Sequence, residues 1–128
     1  MRQLLTAAIL GFTLTACAAA TPSNGEPVLV AIPTAEPPTG QVACMDALLT
    51  GQLVADEDAG VAIQAADGTT IVVVWPHGWA AVDQDNTRVV ANDQGDPVAQ
   101  VGDQVAIGGG LGAGDRWYTC GEVTRAVP

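Results

Sequence analysis

The chain contains no lysine, one serine (Ser23) and one histidine (His77). These shortages remove several chemistries at once. Without lysine there is neither a Schiff base nor a phosphate-loop ammonium, and with the only serine in a proline-rich stretch a triad has no nucleophile. A lone histidine makes no histidine-rich metal site and no nucleophile-base relay unless cysteines or carboxylates converge on it. Cations are scarce too: four arginines stand against 14 carboxylates, for a net charge of -10. Nucleic acid is thereby excluded as a partner, because its readers bring several lysines and arginines to phosphates. The inventory points away from an enzyme, with no cofactor and no metal implied.

What is present is informative first at the amino terminus. Met1-Arg2-Gln3 supplies a short positive region, and the uncharged apolar run Leu4 to Ala16 follows it. A membrane-spanning helix asks for about 20 apolar residues, so this run is a signal peptide and not a span. It ends in Leu14-Thr15-Ala16-Cys17, which resembles the lipobox of bacterial lipoproteins: an aliphatic residue, two small residues and a cysteine. The resemblance implies cleavage between Ala16 and Cys17, a diacylglycerol on the Cys17 thiol and further acylation of the new amino terminus. One acyl chain holds a protein only marginally on a bilayer, whereas two or three make residence stable. The alternative is an ordinary secretory leader cut at Ala18-Ala19-Ala20, which would release a soluble secreted domain without Cys17.

Residues 17–40 form the lipidated cysteine and a tether, with prolines at 22, 27, 33, 37 and 38. Such composition suits an extended, flexible linker. Its apolar interruption, Val28 to Ile32, is compatible with a short docked strand, but the flanking prolines favour the linker. Residues 41–128 are the domain, where short apolar runs are broken by Gly, Asp or Asn, the pattern of an all-β fold. Strands are expected over Leu48 to Ala55, Val61 to Ala66, Thr69 to Trp75, Arg88 to Ala91, Pro97 to Val101, Gln104 to Gly108 and Arg116 to Thr124. Asp67-Gly68, Asp93-Gln94-Gly95-Asp96 and Gly102-Asp103 read as turns. The β-branched run Ile71 to Val74 reads as a central strand covered on both faces. So many short strands suit a small antiparallel barrel, which leaves no bare edges, and Val98 to Gly109 is loosely similar to a turn and strand of OB-type barrels. A β-sandwich is the alternative.

Cys44 and Cys120 bracket this domain, and in an exported chain such a pair reads as a disulfide. A metal or redox pair with His77 is the competing reading, and the cysteines lack C-x-x-C spacing for it. Beyond the leader the large rings are Trp75, Trp79, Trp117 and Tyr118. Trp75 and Trp117 are assigned to the core. Trp79, Tyr118 and His77 are the ligand-binding candidates, since flat rings stack on sugars and on other apolar rings; His77 itself reads as a turn residue. The run Gly108 to Gly114 is expected to be a mobile hairpin loop, because no helix follows to complete a phosphate cradle. Asp56-Glu57-Asp58 and Asp83-Gln84-Asp85-Asn86 could offer oxygens to calcium, but acid at turns is usually a solvated face.

The sequence therefore points to a non-enzymatic binding or structural module, lipid-anchored at the bacterial cell envelope, whose partners are the membrane and an envelope protein or glycan. A glycan- or small-ligand-binding protein using exposed aromatics is one alternative. A secreted hydrolytic or redox enzyme, which needs Cys44, His77 and Cys120 or a carboxylate pair in one pocket, is the other. Mass spectrometry of the mature protein is expected to find an acylated Cys17 as the first residue; a peptide beginning at Thr21 would remove the anchor.

Overall fold

The computed structural model describes residues 26–37 and 44–126. The expected leader, the lipobox and Cys17 lie outside these residues. Ten strands follow one another: β1 (Val28–Val30), β2 (Ala47–Asp56), β3 (Gly60–Gln64), β4 (Thr70–Ile71), β5 (Val73–Val74), β6 (Ala80–Gln84), β7 (Thr87–Ala91), β8 (Pro97–Gln100), β9 (Gln104–Leu111) and β10 (Trp117–Arg125). A short 3-10 turn at Ala113–Asp115 is the one helical element among the described residues. The fold is all-β.

The strands divide into two sheets, one of order β1-β6-β7-β8 and one of order β4-β3-β2-β9-β10-β5. No closed barrel is found, and the two-sheet arrangement fits the sandwich alternative. The larger sheet stays open because its end strands, β4 and β5, are not paired with each other, and between them the run from Thr70 to Val74 breaks at Val72. β4 pairs with β3, β5 pairs in parallel with β10, and Val72 joins neither strand although its carbonyl accepts from the Trp117 N–H at 2.9 Å. The two ends of the larger sheet are therefore consecutive in sequence, and the run expected to be central forms its margins. Val73 and Val74 are nonetheless buried.

Strand β2 shows how the sheet curls. Its first half pairs with β9 over Ala47 to Gln52, and its second half pairs with β3 over Gln52 to Asp56. Gly51 stands at the change of partner, where a Cβ would lie 2.7 Å from the Ile63 Cγ2. Glycine inside a strand marks such close backbone approaches. The inward side chains of both sheets meet in one core, with Leu53, Ile63, Trp75 and Ile107 from the larger sheet side and Val90 and Ala99 from the smaller.

Two elements differ from the sequence reading. Val28 to Val30, expected to belong to a linker, is a strand paired with β6. The same segment then crosses to the other sheet: Trp75 N–H donates to the Pro33 carbonyl at 2.9 Å, and Ala35 N–H donates to the Trp75 carbonyl at 2.8 Å. Its prolines are tolerated because β1 is an edge strand. Strand β6 was not expected at all. It reaches β7 through a two-residue turn, Asp85 and Asn86, with φ of 52° and 62°. Both central residues of a type I′ turn need positive φ, and here Asp and Asn supply it without a glycine.

The staple is present. Cys44 and Cys120 are disulfide-bonded, with Cα atoms 5.9 Å apart and a sequence separation of 76. It links the approach to β2 with β10, the two neighbours of β9. Closing so long a loop stabilises a domain by about 4 kcal/mol in the chain-entropy model. A Cys44→Ser, Cys120→Ser double variant is expected to unfold in urea with a midpoint lowered accordingly; an unchanged midpoint would show that the crosslink does not stabilise the fold.

Candidate functional site

The aromatic candidates separate rather than converge. Trp75 is fully buried, and Trp79 stacks on it with ring centroids 5.8 Å apart and planes 19° from parallel. The turn between them is closed by the Trp79 N–H donating to the Pro76 carbonyl, and His77 occupies an exposed position in it. Gly121 of β10 gives the Trp79 ring its seat, since a Cβ there would approach the ring edge to 3.3 Å. Trp79 thus packs against the core. On β10, Trp117 is 8 % exposed and Tyr118 is 37 % exposed, as alternation along a strand requires. Trp117 turns inward with Trp75, while Tyr118 lies on the outer face over Gly112. Trp79 and Tyr118 accordingly share no groove.

Around Tyr118 the glycine run shows its purpose. Residues Gly108 to Leu111 are part of strand β9, not a mobile loop. Each missing Cβ makes room for a neighbour: Glu122 over Gly108, the Trp117 indole and the β10 backbone at Gly109, Met45 over Gly110 and Tyr118 over Gly112. Exposed Met45, Leu48, Leu111 and Tyr118 mark this end of the sheet with apolar surface.

The acidic turns gather at the other end of β2. Asp56 Oδ1 accepts from the N–H groups of Asp58 and Ala59, which closes the β2–β3 hairpin. Asp83 receives a bidentate pair from Arg88, at 2.7 and 2.9 Å, and Arg88 also donates to the Gly60 carbonyl at 2.7 Å. Arg88 therefore ties the smaller sheet to the hairpin against which Val30 and Ala31 rest. Hydrogen bonding from Arg88 holds the Asp83 carboxyl below its usual range, and the same bond raises the Arg88 guanidinium. These carboxylates are committed to turns and to an arginine, and no group of three metal-binding side chains occurs among the described residues.

A polar feature that no motif announces lies on the outer face of the larger sheet. Register sets Gln52 opposite Gln64 on β3 and opposite Gln104 on β9. Gln52 and Gln64 are 12 positions apart in the chain and Gln64 and Gln104 are 40 apart, so only the pairing of three strands brings them into line. Nothing in the sequence marks them as neighbours.

Comparison of the chain with protein-family models, with curated proteins and with solved structures finds no match. The site must be read from its own chemistry.

The Asp83–Arg88 pair generates a pH dependence. A carboxyl held lower in the folded chain contributes stability that is present above its unfolded value of about 3.9, and that is lost as pH falls through the lower folded value. Urea unfolding at stepped pH is expected to show the advantage of the wild type over Asp83→Asn shrinking below pH of about 4. A constant difference down to pH of about 2 would mean that Arg88 does not favour the ionised carboxylate.

Proposed function

We propose that the chain is an exported, lipid-anchored binding or structural module of the bacterial cell envelope and not an enzyme. One observation carries the reading: Cys44 and Cys120 are joined in a chain whose amino terminus resembles a lipoprotein leader. Disulfides persist in the oxidising compartments to which such a leader directs a chain, so crosslink and leader agree. The bond also occupies both thiols that a hydrolytic site would need as a thiolate nucleophile. His77 sits in an exposed turn.

The membrane is the first partner, through acyl chains on Cys17, and an envelope protein or glycan is the second. Strand β1 shortens the tether. The first strand among the described residues begins at Val28, so the chain between Cys17 and Val28 spans no more than about 40 Å even when fully extended. The domain is held close to the headgroups instead of ranging far from them.

The full chain, produced in a bacterium with its own leader, is expected to enter the detergent-rich phase on cloud-point separation. A Cys17→Ala chain should stay in the aqueous phase with its Cys44–Cys120 bond intact. Wild-type protein recovered wholly from the aqueous phase would overturn the anchor and leave a freely diffusing secreted protein.

A further inference from the structure

We propose that the outer face of the six-stranded sheet binds a neutral, hydroxyl-rich ligand of the oligosaccharide class, held by the carboxamides of Gln52, Gln64 and Gln104. The inference rests on the reading of the chain as a binding module, and it supplies the site and the ligand chemistry which that reading leaves open.

The face carries a shallow concavity of about 550 Å³, floored by β2 and β9 and walled by Ala65 and Ala66 on one side and by Thr124 and Ala126 on the other. That volume falls in the range of small-ligand sites. Adjacent strands lie about 4.8 Å apart, so the three carboxamides form a row across β3, β2 and β9 at roughly that spacing. A second row, Thr50, Ala106 and Thr124, runs beside it in register. Gln52 Nε2 donates to the Gly102 carbonyl at 3.3 Å, while the side chains of Gln64, Gln104, Thr50 and Thr124 make no hydrogen bond among the described residues.

The lining selects its ligand by what it offers and what it withholds. Each carboxamide presents two N–H donors and one acceptor oxygen, and each sugar hydroxyl both donates and accepts. No charged side chain lines the concavity, in a chain of net charge -10. An anion would find no cation there and would meet a repulsive field, and a cation would find no carboxylate. An apolar ligand would find no aromatic ring, and against the small alanines it would leave the interspersed carboxamides and hydroxyls without partners. An extended peptide adds to a sheet through a free backbone edge, and β2 and β9 are paired on both sides. A neutral polyol is the chemistry that remains.

The test is a titration of the disulfide-bonded protein, followed by NMR, with a panel of neutral hexasaccharides of differing linkage and with their sulfated counterparts. Neutral members are expected to shift the side-chain amide signals of Gln52, Gln64 and Gln104, and sulfated ones to shift them less. Gln64→Ala and Gln104→Ala should each weaken binding about tenfold, whereas Trp79→Ala and Tyr118→Ala should leave it unchanged. Both glutamines are exposed, so an unaltered backbone spectrum of each variant shows that the fold is kept. No shift across the whole panel, shifts centred on Trp79 or Tyr118, or self-association through this face in sedimentation would each overturn the site. None of these outcomes depends on Cys17, so failure here and failure of the anchor are distinguishable.

Discussion

Two indoles have to fill the space between sheets built mainly from valine, alanine and glycine. Trp75 and Trp117 are the large rings of the core, and much of the remaining architecture accommodates them. The β9 backbone must be bare at Gly109, because the Trp117 indole and the β10 backbone occupy the place of a side chain. Trp79 covers Trp75 from the side and is itself seated on Gly121. The amino-terminal segment closes the remaining flank by hydrogen-bonding to both backbone polar groups of Trp75. Burial of aromatic area dominates the energetics of small cores. Here it also dictates where glycine must stand.

Much of this was legible in the sequence. The turns at Asp67-Gly68, Asp93 to Asp96 and Gly102-Asp103 are found where their residues placed them, with Gly68, Gly95 and Gly102 at positive φ. The expected strands after residue 47 are present with boundaries shifted by a few residues, apart from the break at Val72. Alternation puts Trp117 and Tyr118 on opposite faces, and Trp117 is the inward one. What failed did so for identifiable reasons. Asp83-Gln84-Asp85-Asn86 reads in sequence as acid at a solvated turn, which hides that it ends strand β6 and carries the turn into β7. The glycines of β9 were read as punctuation, yet they serve packing. Prolines on either side of Val28 to Ile32 suggested a linker, although an edge strand tolerates them.

The candidate sites divide in the same way. A disulfide between Cys44 and Cys120 could be expected from export and position. The separation of Trp79 from Tyr118 could not, since it depends on which face of β10 each ring covers. The glutamine row was equally hidden, because register between distant strands is set by the pairing of the whole sheet. Composition said that the protein offers few ionic contacts; only the fold says which neutral groups stand together.

The place where the chain enters the fold has an electrostatic corollary. Val28 lies opposite Asp83, and Val30 and Ala31 border the concavity that holds Asp56, Glu57 and Asp58. With Cys17 seated in lipid, this negatively charged tip would be the one nearest the bilayer, and anionic headgroups would repel it. Raising the salt concentration would screen that repulsion.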